Sequence, residues 1–198
     1  MNSTATCVFC TIGADQAPLL FQMPSLFVMP DKYPLCPGHI LLISKEHLSC
    51  YGAASDFVLN ELNGATVRVR QFLQEVYQTE AVAWENGVAG QSVFHAHLHL
   101  IPCPNAAFPN EIDTYPEVRQ IRSWQPVQEY FAEHGSYRYV EFGGGRRLMP
   151  GFSPARFLMR RLLTREIGLG ETSEGLLVRT TAPGEAFEVQ RRWVAWAG

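Results

Sequence analysis

The stretch QSVFHAHLHLIP, residues 91–102, constrains the fold of this chain more than any other segment. Three histidines stand at every second position of an otherwise apolar run. A strand alternates its side chains, so His95, His97 and His99 are predicted to share one face. Phe94, Ala96, Leu98 and Leu100 then point to the other face, as core residues do. One surface of a half-buried strand would carry three groups that titrate near neutral pH.

The flanking sequence supplies the partners of such a strand. LFVM (26–29), HILLIS (39–44) and AVAWE (81–85) read as strands, DKYPLCPG (31–38) as a turn-rich connection, and NGVAGQ as a glycine-bearing loop into the histidine run. Residues 55–78 repeat Val58, Leu62, Ala65, Val69, Phe72 and Val76 at helical spacing, with Ser55 placed as N-cap. The order is strand, strand, long helix, strand, loop, strand, with short connections. It predicts an α+β fold in which an antiparallel sheet carries a helix on one face.

The character changes after Pro102. CPNAAFPNEIDTYPE is a proline-bearing link, a helix is predicted from about Pro126 to Glu133, and SYRYVEFGGGRRLMP reads as strand, glycine turn, strand. SPARFLMRRLLTREIGLG has Ser153 as N-cap, Pro154 at the first helical position and Gly168 near its end, which predicts a helix with an apolar and a basic face. The last stretch, from Gly175, fits no single pattern. Residues 1–105 are therefore assigned to one domain, and residues 106–198 to a C-terminal α/β extension packed on it.

Bulk properties narrow the function classes. A formal net charge of -3 leaves no global footprint for nucleic acid or an anionic membrane. No apolar stretch approaches the roughly 20 residues needed to span a bilayer. The start, MNSTATCVFC, lacks the basic-then-apolar order of a signal peptide, so a cytoplasmic protein is expected. Five cysteines, an odd and sparse set, argue against a disulfide framework.

Three readings compete for the histidines: satisfied core groups, metal ligands, or a nucleophile with supporting imidazoles. Strict period two over three histidines weighs against the first. The last two coexist readily, because Cys7 and Cys10 form a Cys-x-x-Cys half-site suited to zinc. A redox pair or two buried thiols would look the same, although the strand-then-helix context of a thioredoxin-like unit is absent. Two histidines would complete a tetrahedral site, with His47 and His95 as candidates that spacing alone does not select.

GQSVFHAHLHLIP resembles the signature of the histidine-triad (HIT) family of nucleotidyl hydrolases and transferases. CVFCTI and PGHILLISKEH agree with the same family in order and spacing, so the resemblance spans roughly residues 7–102. It implies a HIT-like antiparallel sheet and a nucleotide substrate. The middle histidine, here His97, would attack the α-phosphorus and form a nucleotidyl-histidine that water resolves. His99 would neutralise the phosphate, His39 would support the triad, and Ser92 would contact phosphate or leaving group. Gly90 and Gln91 would offer backbone donors, and Asp31 would bind the ribose hydroxyls. In zinc-bearing members the metal is structural, which maps to Cys7, Cys10, His47 and His95. The resemblance also implies a homodimer.

Two departures matter. Glu85 stands where many relatives have Asn or Gln, and a carboxylate near phosphates is unfavourable, so no phosphate role is carried onto it; Asn86 is a weak substitute. The third histidine is present where transferring members often have glutamine, which favours hydrolysis. The expected substrate is a dinucleoside polyphosphate or a nucleoside phosphoramidate. A phosphorylase or nucleotidyltransferase, a non-catalytic nucleotide-binding adaptor and a zinc-stabilised scaffold are the rivals. In the extension, Arg146, Arg147, Arg156, Arg160 and Arg161 would reach distal phosphates or form a solvated face. Trp193 and Trp196 would close onto the core, stack on a base, or meet a second subunit.

Overall fold

In the computed structural model, which describes residues 7–12, 18–103, 112–151, 160, 163 and 183–198, the histidine strand begins at His97. Phe94 and His95 precede it in a bend closed by the His95 amide on the Val93 carbonyl at 2.9 Å. Phe94 is consequently 46% exposed, against the core position expected of it. Side-chain alternation holds only where the ladder fixes the pleat, and the ladder starts with Ile43 opposite His97.

Among the described residues eight strands form one sheet: β1 (Phe21–Gln22), β2 (Leu26–Pro30), β3 (Ile40–Ser44), β4 (Ala81–Glu85), β5 (His97–Pro102), β6 (Arg119–Ile121), β7 (Tyr137–Phe142) and β8 (Gly145–Pro150). Their order is β1-β2-β3-β5-β4-β7-β8-β6 and every pairing is antiparallel. The strands after residue 105 thus continue the first sheet, with β7 pairing β4 from Ala83 opposite Glu141 to Glu85 opposite Tyr139. Gly143 and Gly144, both at positive φ, make the tight β7–β8 turn, as two-residue hairpins require.

Three helices are described: α1 (Asp56–Tyr77), α2 (Gln125–His134) and α3 (Pro183–Ala197). Ser55 caps α1 by accepting from the Val58 amide at 3.5 Å. The apolar stripe from Val58 to Phe72 packs on one sheet face, against Val28, Ile40, Leu42, Leu98 and Leu100. The α3 residue Trp193 closes this layer, stacked on Phe21 at 5.1 Å and tilted against Phe72 at 4.9 Å. A second apolar cluster, including Val82, Trp84, Ile101, Val140 and Met149, covers part of the opposite face.

Burying His97 and His99 on that opposite face leaves Leu98 and Leu100 in the helix-side core, as the alternation predicts. The proline-started helix expected over 153–168 lies outside the described residues except at 160 and 163. No helix among the described residues is long and apolar enough to cross a membrane.

Candidate functional site

The site lies on the sheet face opposite α1, where β3, β4 and β5 run side by side. Residue pairing puts Leu41 and Trp84 on either side of His99. The indole of Trp84 stacks flat on the His99 ring, with centroids 4.2 Å apart and planes within 1°. Such a cross-strand pair fixes an imidazole orientation that a flexible neighbour would leave loose. No signal in the sequence marked Trp84 beyond its place in AVAWE.

Hydrogen bonds settle which nitrogen of each ring carries the proton. His97 Nδ1 lies 2.6 Å from the carbonyl oxygen of His95 and must donate to it, so its Nε2 presents a lone pair. The Leu35 amide donates to His39 Nδ1 at 3.1 Å, which places the His39 proton on Nε2. That Nε2–H sits 3.0 Å from His99 Nδ1 and donates to it. His99 therefore carries its own proton on Nε2, as a donor. A chain running from a backbone amide through His39 thus sets the tautomer of His99, next to a nucleophile-ready His97.

Burial pushes the pKa values of these rings down, of His97 moderately and of His39 and His99 well below the ordinary 6.5. The nearby Arg160 guanidinium and the mutual repulsion of the imidazoles act in the same direction. The triad is consequently neutral at neutral pH, the state a nucleophilic imidazole needs.

Among the described residues, two groups of side chains converge closely enough to hold a metal ion. In the first, Cys10 Sγ lies 3.0 Å from His47 Nδ1 and 3.6 Å from His95 Nδ1, with Cys7 Sγ 3.4 Å from the latter. His95 Nε2 is 2.6 Å from the Ser44 carbonyl and donates to it, leaving the Nδ1 lone pair aimed at the thiols. This is the tautomer a metal ligand requires. The second group, Asp31, His39 and His99, fails the same test: the amide on His39 Nδ1 puts a proton on the nitrogen that would have to bind the ion.

A cavity of about 350 Å³ opens beside the triad. His97, His99, Asp31, Ser92, Asn86, Gly90, Lys32 and Arg160 contribute its polar lining, and Val8, Phe9, Ile12, Met29, Leu41, Trp84 and Val93 an apolar slot. Phe9, from the Cys-x-x-Cys turn, meets His97 edge-on at 5.2 Å. Asp31 Oδ1 accepts from the Tyr33 amide at 2.9 Å, while Oδ2 faces Arg160 Nη2 at 3.3 Å and His39 Nε2 at 3.4 Å. The Gln91 side chain turns inward, accepting from the Val88 amide at 3.0 Å and donating to the Ser49 carbonyl at 2.8 Å. Gln91 shapes the loop that displays Gly90 and Ser92 rather than lining the cavity with its side chain.

Glu85 stays out of the cavity. Its buried carboxyl group accepts from the Tyr51 amide at 2.7 Å and from the Tyr137 hydroxyl, which explains how an acid is tolerated one residue from Asn86. The basic cluster of the extension divides. Arg147 pairs with both oxygens of Asp113, Arg146 bonds Asn63 and Glu141, and only Arg160 reaches the cavity; Arg156 and Arg161 lie outside the described residues.

A sequence model of the HIT domain matches residues 14–105. A HIT-like protein of Chlamydia trachomatis serovar D is 32% identical over 92 residues, 45% of this chain and 83% of its own. A bis(5'-adenosyl)-triphosphatase of Dictyostelium discoideum is 23% identical over 124 residues, 60% of this chain and 83% of its own. Among solved structures, a hypothetical protein from Leishmania major is 27% identical, covers 52% of this chain and 77% of its own, and superposes with a TM-score of 0.48.

Proposed function

This chain belongs to the HIT family, and on that premise we propose that it is a nucleotidyl hydrolase working through a covalent nucleotidyl-histidine. The observation that carries the reading is His97: a buried imidazole whose Nδ1–H is committed to the His95 carbonyl, with its Nε2 lone pair free to attack inside a cavity. The relative in Dictyostelium discoideum, by name a bis(5'-adenosyl)-triphosphatase, supports a nucleotide substrate.

In the first half-reaction His97 Nε2 attacks the α-phosphorus, the phosphorus–nitrogen bond forms, and the bond to the leaving group breaks with its electron pair going to that group. Positive charge grows on the imidazole and strengthens the short Nδ1–H bond to the His95 carbonyl. His99 Nε2–H and the Ser92 hydroxyl donate to the phosphate oxygens, where negative charge accumulates. Water then attacks the same phosphorus, His97 leaves, and a nucleoside monophosphate and a proton are released. The apolar slot, from Phe9 to Trp84, suits the base, and Asp31 and Asn86 suit the sugar and phosphate edges.

Cys7, Cys10, His47 and His95 fit a structural zinc ion. Bond lengths of about 2.3 Å to sulfur and about 2.0–2.1 Å to nitrogen put tetrahedral ligand atoms roughly 3.3–3.8 Å apart, against 3.0–3.6 Å here. Zinc would supply anchorage there: it would tie the Cys-x-x-Cys turn to His95, whose carbonyl holds His97.

Product analysis tests the reading. The purified chain should cleave dinucleoside polyphosphates to a nucleoside monophosphate, with or without inorganic phosphate, and labelled nucleotide should be trappable on His97. His97→Ala should lose at least about 10³-fold in turnover while keeping the wild-type melting temperature. A nucleoside diphosphate formed only with added phosphate would make the protein a phosphorylase, and binding without turnover across the panel would make it an adaptor.

A further inference from the structure

Arg160 is supplied by the chain beyond the HIT match, yet its guanidinium lines the same cavity as His97 and His99. Nη2 donates to the Tyr33 carbonyl at 2.5 Å and to Asp31 Oδ2 at 3.3 Å, and the side chain is 13% exposed. Both acceptors belong to the connection between β2 and β3, so the guanidinium is fixed at the cavity wall.

The charge inventory of the cavity gives this placement its meaning. Lys32 and Arg160 are the cations among its lining residues and Asp31 the one acid. The wall therefore carries an excess positive charge that the triad itself does not provide. His99 and Ser92, which line the same cavity as His97, offer neutral hydrogen-bond donors to an α-phosphate bound there. A leaving group that is itself a phosphate chain brings further negative charge into a site of low exposure, where a guanidinium is most effective. A neutral amine leaving group makes no such demand.

We propose that Arg160 is a specificity-determining residue that binds the phosphate next to the α-phosphate, so that the extension selects nucleotides with a phosphate leaving group over nucleoside phosphoramidates. This assignment rests on the nucleotidyl-hydrolase reading above and narrows its substrate class. Asp31 is the resting partner of Arg160, holding the guanidinium in place until phosphate arrives.

The test compares wild type, Arg160→Gln and Arg160→Lys as full chains in two measurements. Turnover is measured on diadenosine triphosphate and on adenosine 5'-phosphoramidate, which present the same adenosine α-phosphorus to His97. Binding is measured by calorimetry for ADP and AMP, which differ by one phosphate. Wild type should bind ADP more tightly than AMP by roughly 10-fold or more. Arg160→Gln should bring the two affinities together and lower kcat/KM for the triphosphate roughly 10- to 100-fold more than for the phosphoramidate. Arg160→Lys, which keeps the charge and loses the fork, should fall between them. Equal ADP and AMP affinities in wild type, or equal losses on both substrates in Arg160→Gln, would overturn the assignment. If wild type turns over neither substrate but its ADP preference disappears in Arg160→Gln, the hydrolase reading fails and the phosphate site stands. Failure to bind either nucleotide overturns both.

Discussion

The Tyr137 hydroxyl donates a hydrogen bond to the buried carboxyl group of Glu85 and accepts one from the Gly52 amide at 2.7 Å. A residue of the extension thereby completes a polar network inside the HIT-matched part of the chain. The Tyr51 amide occupies the other carboxyl oxygen at 2.7 Å, and neighbouring β4 and β7 pair from Ala83 opposite Glu141 to Glu85 opposite Tyr139. The loop with Gly87, Gly90 and Ser92 starts directly after Glu85, so the sheet extension and one wall of the cavity share a foundation.

That network makes stability depend on pH. Burial raises the Glu85 pKa from 4.5 to about 7, with the bonds from Tyr137 and the Tyr51 amide opposing the rise. The ionisable groups facing it are Tyr51, Tyr137 and Cys50, all neutral in this range because their own pKa values are raised. The folded state holds this proton more tightly than the unfolded state, so the Glu85 contribution to stability falls as pH rises from about 4.5 to about 7 and levels off above, while the buried imidazoles, whose pKa values are lowered, contribute in the opposite sense. At about 1.4 kcal/mol per pKa unit the loss is roughly 3 kcal/mol. In urea unfolding across this range the stability difference between wild type and Glu85→Gln should change by that amount, because the imidazoles contribute to both alike; a difference that stays constant with pH would overturn the Glu85 assignment.

His39 should separate packing from tautomer control. His39→Leu leaves the Leu35 amide without its acceptor and His99 Nδ1 without its donor, in a buried place. The expected cost is about 1–3 kcal/mol in stability together with a loss in kcat. His39→Gln offers an amide oxygen to Leu35 and an amide N–H to His99, so it should recover much of kcat. Equal kcat in the two variants would mean that His39 serves packing alone.

The part of this design legible in the sequence is the part written at short range. Period two placed His97 and His99 on one face, and the stripe from Val58 to Phe72 gave α1 and its core side. Alternation could not show that the ladder stops at His97, because a bend and a strand accept the same residues; Phe94 was misplaced for that reason. Trp84 was illegible as a site residue, and Arg160 stood out only as one of five clustered arginines, since their roles depend on strand register and on a long return of the chain. Glu85 looked like a misfit for phosphate because its true neighbours, Tyr51 and Tyr137, lie 34 and 52 positions away. Arg146 and Arg147 resembled Arg160 in sequence, and only the pairing of Asp113, Asn63 and Glu141 told them apart.

Metal removal should act on the nucleophile at a distance. Purified wild type should contain zinc, and Cys7→Ser or His47→Ala should lower its content and the melting temperature, as loss of a structural site does. The His95 ring is fixed through Ser44 on one side and the thiols on the other, and its carbonyl holds His97 Nδ1. Either variant should therefore reduce kcat by more than it raises KM. Zinc-free wild type from zinc-supplied expression, at full activity, would end the assignment.

Gly87 provides a last check on how tightly the extension is seated. It has φ +50, and a Cβ there would come 2.6 Å from the Tyr137 carbonyl oxygen and 2.7 Å from its ring. The Gly87 carbonyl also accepts from the Tyr137 amide at 2.9 Å, so the two backbones cannot separate without losing that bond. Gly135, at φ +72 with open space around its Cβ position, isolates the conformational part. Gly135→Ala should cost about 1–2 kcal/mol, the left-handed penalty alone. Gly87→Ala adds a backbone clash next to Glu85 and should cost about 2–4 kcal/mol. Its denaturant midpoint should fall clearly below that of Gly135→Ala, and coincident midpoints would mean that β7 gives way easily where Gly87 meets Tyr137.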